Sequence, residues 1–222
     1  MYCPLRLIDK SIENDKEKVI LSPPEYLADC EEQVKLRLKE LYDSGFHFAV
    51  AHTVGHIEML KNMDFTIYGG NRLNCTNSNF VNFLKSEGIE DIILSPELTA
   101  KRINNISTEI KRGILAYGYL PLMINRRCPI NNGKPCNTKN CGRKITDRLG
   151  NKLDVICNEN TVEILNSEPL VLSDKLGDFN TDYFVLRFTV EAEINPIIDA
   201  YKNADKMDIK KFTRGLYYRG VE

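Results

Sequence analysis

The stretch Phe46-His47-Phe48-Ala49-Val50-Ala51-His52-Thr53-Val54-Gly55-His56-Ile57-Glu58-Met59-Leu60-Lys61-Asn62 decides the fold. Phe46 to Ala51 is a short, nearly continuous apolar run, as expected of a strand covered on both faces. His52 to His56 reads as a polar loop, and Ile57 to Asn62 as a short helix. Strand, loop and helix recur in that order on either side. Val19-Ile20-Leu21 precedes Ser22-Pro23-Pro24 and a helix over Glu25 to Ser44, in which Leu27, Cys30, Val34, Leu38 and Leu41 repeat every three or four residues and Gly45 ends the pattern. Phe65-Thr66-Ile67 and the loop from Gly69 to Ser78 lead to a helix over Phe80 to Glu87, capped by Ser78. Asp91-Ile92-Ile93-Leu94 leads to Ser95-Pro96-Glu97-Leu98 and a helix predicted to reach Lys111. Gly113 to Gly118 is a further strand. A unit of roughly 25 residues that alternates strand and helix predicts parallel α/β architecture. Four or five units cannot close an eight-stranded barrel, which takes ~250 residues. The sheet is therefore either open or part of a longer barrel.

Outward from these units the texture changes. Residues 1–17 read as a connecting arm and residues 18–125 as a partial (β/α) barrel. Residues 126–160 form a cysteine-rich loop, and residues 161–222 a β-rich appendage. The appendage holds short strands at Val162 to Asn166, Leu170 to Leu172 and Tyr183 to Thr189, a helix over Glu193 to Asn203 and a basic, aromatic tail. The 222 residues carry a net charge of −1, so no global field draws the chain to nucleic acid or an anionic membrane. No run approaches the ~20 apolar residues that span a bilayer. Seven cysteines without a secretion signal point to a reducing compartment, and a cytoplasmic protein is expected.

Four of the seven cysteines, Cys128, Cys136, Cys141 and Cys157, fall within thirty residues. Thiolates suit zinc and iron–sulfur clusters, and four of them complete one tetrahedral ion or one cluster. The spacing matches neither a zinc knuckle nor a ferredoxin run. The competing reading is buried free thiols, which the surrounding Pro129, Asn131, Asn132, Gly133, Pro135, Asn137 and Asn140 oppose. Arg126-Arg127 before Cys128 and Arg143-Lys144 after Cys141 would offset an anionic centre or grip phosphate. Glu97 follows a strand, where it is either a general acid or base or a carboxylate favoured by the first helical turn. Asn74 has the same position after the preceding strand, for substrate hydrogen bonding or for turn chemistry. His52 and His56 stand beside a strand end, as active-site residues or as surface or packing histidines. Catalytic candidates are thus Glu97, Asn74 and His52. No Gly-x-Ser-x-Gly elbow, Walker loop or dinucleotide fingerprint is present.

Leu73-Asn74-Cys75-Thr76-Asn77-Ser78, Leu94-Ser95-Pro96-Glu97-Leu98, Tyr117-Gly118-Tyr119-Leu120-Pro121-Leu122-Met123, Cys128-Pro129-Ile130, Asp147-Arg148-Leu149-Gly150 and Phe212-Thr213-Arg214-Gly215 occur in this order. Together they resemble the collagenase-like peptidases (peptidase family U thirty-two), over about residues 18 to 219. The resemblance implies the C-terminal part of a TIM-barrel-like domain followed by a small β-rich subdomain. The family's His-Gly-Ala-Met-Cys segment is here Tyr117-Gly118-Tyr119-Leu120-Pro121, so one family cysteine is absent. Cys128 takes the place of another, and Cys136 or Cys141 of a third. Relatives implied by the resemblance are peptidases, and also oxygen-independent hydroxylation proteins for RNA or ubiquinone that hold an iron–sulfur cluster. The resulting expectation is a metal- or iron–sulfur-dependent enzyme related to the oxygen-independent RNA or ubiquinone hydroxylation proteins, with RNA or a peptide as the expected substrate. The alternatives are a peptidase acting on a peptide substrate, and an interaction module with structural zinc. A homo-oligomer, or a partner supplying the rest of the barrel, would cover the exposed strand edges.

Overall fold

A computed structural model describes residues 1–27, 29–131, 143–158 and 161–220. The chain divides into two compact units. The first comprises Met1–Ile114, Asn180–Phe184 and the segment from Leu216 onward; the second comprises Leu115–Phe179 and Val185–Gly215.

The first unit is built on parallel strands β1 (Tyr2–Pro4), β2 (Ile20–Ser22), β3 (Phe48–Ala51), β4 (Thr66–Gly69), β5 (Ile89–Ile93) and the start of β6 (Lys111–Gly118), hydrogen-bonded in that order. The helices between them are α1 (Glu31–Asp43), α2 (Val54–Lys61), α3 (Ser78–Ser86) and α4 (Ala100–Asn104). This is the partial parallel β/α barrel expected in coarse outline; the described residues do not form a closed barrel. Residues 1–17, read from sequence as an arm, contribute the strand β1, whose Cys3 is 6% exposed.

Register explains why the short strands hold. Cys3 pairs with Leu21, Leu21 with Ala49, Ala49 with Ile67 and Ile67 with Ile89. This lateral row crosses five strands, and every member is buried. Tyr2, Ile20, Phe48 and Tyr68 alternate to the opposite face and are only half-buried. Between the pairs Ile67–Ile89 and Gly69–Ile92, β5 carries one residue more than β4, and such a bulge re-aims a side chain. Asp91 lies beside Tyr2 and Tyr68, and burial pushes its carboxyl up to about 6. The Tyr183 hydroxyl donates to Asp91 Oδ1 at 2.8 Å.

The helices begin and end for local reasons. α1 starts at Glu31 rather than Glu25 because Asp29, with φ of 65°, cannot sit inside a helix. Val34, Leu38 and Leu41 form its buried stripe, and Gly45, with φ of +99°, follows its end. Three loops end in caps: Thr53 Oγ1 accepts from His56 N, Asn77 Oδ1 from Phe80 N and Thr99 Oγ1 from Arg102 N. Asn77, one residue before the expected Ser78, caps α3. The long helix expected from Pro96 is only α4. Ser95 Oγ accepts from Glu97 N at 3.3 Å and Ser95 O from Leu98 N at 3.2 Å, so a turn occupies those residues instead.

The second unit contains an antiparallel sheet ordered β7 (Pro121–Asn125), β10 (Thr161–Leu165), β9 (Lys152–Asn158) and β8 (Lys144–Thr146). Val155, Val162 and Ile164 form its apolar cluster, with Cys128, Ile130, Ile145 and Leu153 packed against them. β11 (Leu170–Val171) pairs antiparallel with the end of β6, and β12 (Tyr183–Leu186) also pairs with β6. α5 (Asn195–Lys202) follows, and its Tyr201 hydroxyl donates to Ala116 O at 2.6 Å and accepts from Leu172 N at 2.9 Å. The Phe212-Thr213-Arg214-Gly215 motif is a clasp. Arg214 makes a bidentate pair with Asp174 at 2.6 and 2.9 Å, donates to Val171 O and lies over the Phe212 ring. Arg187 joins the buried Glu163 at 2.5 Å and Tyr119 O at 2.9 Å.

Gly113 gives a direct test of how β6 is covered. A Cβ there would lie 2.2 Å from the Tyr183 ring. Gly113→Ala is expected to cost ~1–3 kcal/mol of unfolding free energy in urea titration, as overpacking does. Adding Tyr183→Leu, which frees the space, should recover part of that loss.

Candidate functional site

Parallel β/α sheets present their chemistry at the carboxyl ends of the strands. Here those ends carry Ser22, His52, Gly70 with Arg72, and Ser95 with Glu97. Ser22 closes β2, one residue past the buried Leu21 and thus on the half-buried face. His52 follows β3 immediately. Their side chains meet: Ser22 Oγ and His52 Nε2 are 2.9 Å apart.

The imidazole of His52 is 8% exposed and closely held. Its main-chain N–H donates to His56 Nδ1 at 3.1 Å, one turn into α2. On the other side is Gly70, whose amide donates to Ala51 O at 2.8 Å. A Cβ on Gly70 would lie 2.6 Å from His52 Nδ1, so glycine leaves the space that the ring occupies. The two histidine rings meet edge-on, with centroids 6.0 Å apart. His56 is 1% exposed, its Nε2 has no hydrogen-bond partner among the described residues, and burial pushes its pKa down to about 4. His56 therefore stays neutral and serves as an acceptor for the backbone of its neighbour.

Arg72 Nε lies 2.7 Å from Glu25 Oε2, which joins the loops after β4 and β2. Arg72 Nη2 is buried without a hydrogen-bond partner among the described residues, so the guanidinium keeps an unfilled donor in this rim. Asn74 is exposed in left-handed conformation, φ of 51°, at the end of a short helical turn. Glu97 is exposed. Of the three catalytic candidates, His52 is the one whose side chain meets another in this rim among the described residues. Ser22 and Arg72 were not singled out from sequence. The signal for Ser22 was available, since it ends an apolar strand immediately before Pro23-Pro24.

A groove of about 440 Å³ lined by Asn105, Thr108, Arg112 and Asp182 lies where β6 begins, at the end of the sheet remote from these residues. That location is the one that parallel barrels use for stability rather than chemistry.

Two of the four cysteines can be placed. Cys157, on β9, is exposed and stands opposite Val162, so the two share a face of the antiparallel sheet. Cys128 is half-buried against the cluster that includes Val162. Cys128 and Cys157 therefore belong to one face. Cys136 and Cys141 lie outside the described residues. Arg126 and Arg127 are exposed just before Cys128. Among the described residues, no group of three or more histidine, cysteine, aspartate or glutamate side chains is arranged to hold a metal ion. No helix of the described residues is long and apolar enough to cross a membrane.

The depressed pKa of His56 sets a pH dependence. The unfolded chain takes up this proton below its ordinary value of 6.5, while the folded chain resists protonation until about 4. The stability contributed by keeping His56 neutral is full above pH 6.5 and is lost as pH falls towards 4. Asp91, raised to about 6, acts in the opposite sense, so the comparison must be with a variant. His56→Gln should flatten the fall in unfolding free energy between pH 7 and pH 4.5 by something on the order of 1–3 kcal/mol, measured by chemical denaturation.

No curated protein matches the chain, and no solved structure matches it. A family model does, that of peptidase family U32, over residues 14–145. The matched region runs from before β2 to the β8 strand, through every strand end described above, and takes in more than half of the chain. The chain belongs to peptidase family U32.

Proposed function

We propose that this U32 protein is part of a thiolate-centred enzyme. Its Cys128, Cys136, Cys141 and Cys157 would hold an iron–sulfur cluster, with zinc as the alternative occupant. The observation that carries the reading is the shared face of Cys128 and Cys157. These two cysteines bracket in sequence the segment that contains Cys136 and Cys141. The donor set fits: four thiolates saturate one cluster or one tetrahedral ion. A bound cluster supplies electron transfer, in keeping with the oxygen-independent hydroxylation proteins for RNA or ubiquinone that the sequence resembles. Arg126 and Arg127 place positive charge beside the thiolates, where it would offset an anionic centre or hold an RNA phosphate. We further infer that a second copy or a partner extends the parallel sheet. The outer edge of β1 has no neighbouring strand among the described residues.

Anaerobic purification followed by iron, sulfide and zinc analysis tests the proposal. Iron and acid-labile sulfide in equal amounts are expected, with loss of most of both in Cys128→Ser and in Cys157→Ser. One zinc per chain, lost in the same variants, would leave a structural zinc module. Protein without metal, or variants that keep it, would overturn the thiolate centre.

A further inference from the structure

We propose that Ser22 and His52 form a nucleophile–base pair for acyl transfer, acting on carboxylic esters or amides. The contact has the geometry this chemistry needs: Oγ and Nε2 at 2.9 Å, on adjacent parallel strands, at the end of the sheet where β/α folds react their substrates. Ser22 is half-buried, whereas His52 is enclosed at 8% exposure. The positioning is deep. His56 accepts the His52 main-chain N–H, its own place in α2 is fixed by the Thr53 cap, and Gly70 leaves only the space that the ring fills. Holding a reacting pair this way accounts for much of the advantage of an enzyme-bound nucleophile.

The reaction balances with water as its one co-reactant. Ser22 Oγ bonds to the acyl carbon as its proton passes to His52 Nε2, and the carbonyl electron pair moves to oxygen. When that pair returns, the bond to the leaving group breaks, and the departing alkoxide or amine takes the proton from Nε2. Water repeats the sequence, giving its proton to Nε2 and releasing the acid while Ser22 regains its hydrogen. The thiolate centre takes no part, so the two proposals fail separately.

A fluorophosphonate probe, which marks activated serines, is the test, read by intact mass and peptide mapping on the full chain. One adduct at Ser22 is expected. It should be absent in Ser22→Ala, formed at least ~10²-fold more slowly in His52→Gln, and unchanged in Ser86→Ala, a serine of α3 remote from the pair. No adduct at Ser22, or equal labelling of wild type and His52→Gln, would overturn the pair. If Ser22→Ala does not fold, Ser22→Cys preserves the side-chain volume. Its alkylation by iodoacetamide should be fast and dependent on His52, and alkylation at the rate of an ordinary thiol would equally overturn the inference. Metal content measured on the same sample shows whether the thiolate centre stands or falls independently.

Discussion

The first unit rests on one lateral row of side chains. Cys3, Leu21, Ala49, Ile67 and Ile89 lie side by side across five parallel strands, none more than 6% exposed. Each strand is only three to five residues long. A slip of one residue in any of them would send the apolar member of this row to the opposite face and bring a half-buried residue such as Tyr2, Phe48 or Tyr68 under the helices. Burial of the row therefore fixes register, and register fixes which residue emerges first at each strand end.

The chemistry inherits that register. Leu21 is paired with Ala49, so Ser22 ends its strand with the neighbouring strand still running, and His52 arrives where its ring can fold back to the hydroxyl. Gly69 and Gly70 then leave space next to them, the first against Ile92 and Leu73, the second against His52. A polar pair in such a position is held by apolar packing below it and by main-chain contacts around it, rather than by its own bond. A neutral hydrogen bond contributes only ~0.5–1.5 kcal/mol, too little to order two loops.

Much of this was legible in the sequence. The alternation of apolar runs with helical stripes gives the parallel units, and the family resemblance carried by short ordered motifs agrees with the match over residues 14–145. What the sequence obscured has physical causes. β1 is three residues long and contains Pro4, so no run of apolar residues announces it. The helix expected from Pro96 is displaced because Ser95 offers both its hydroxyl and its carbonyl to the turn that follows, and such local bonds compete with helix. Asp29 in left-handed conformation delays α1, which no propensity would indicate. His56 has the character of a surface histidine in sequence, and only packing under α2 makes it a buried acceptor. The Ser22–His52 contact joins residues thirty apart, and a pairing of that kind follows from strand register rather than from any local pattern.

The clasp and the tail carry a consequence for how the molecule is made. Asp91 receives its hydrogen bond from Tyr183, and Ala100 N donates to Tyr217 O at 2.8 Å, so the first unit draws on segments that follow most of the second. During synthesis, residues 1–114 would emerge before two supports of their sheet, Tyr183 and Tyr217, have been made. A unit built from one continuous segment escapes that interval; this one must wait for Tyr183 and Tyr217, with Asp91 lacking its phenol partner and Gly113 uncovered. The burden falls on the nascent chain, whose survival during translation depends on how well the half-finished sheet avoids other chains.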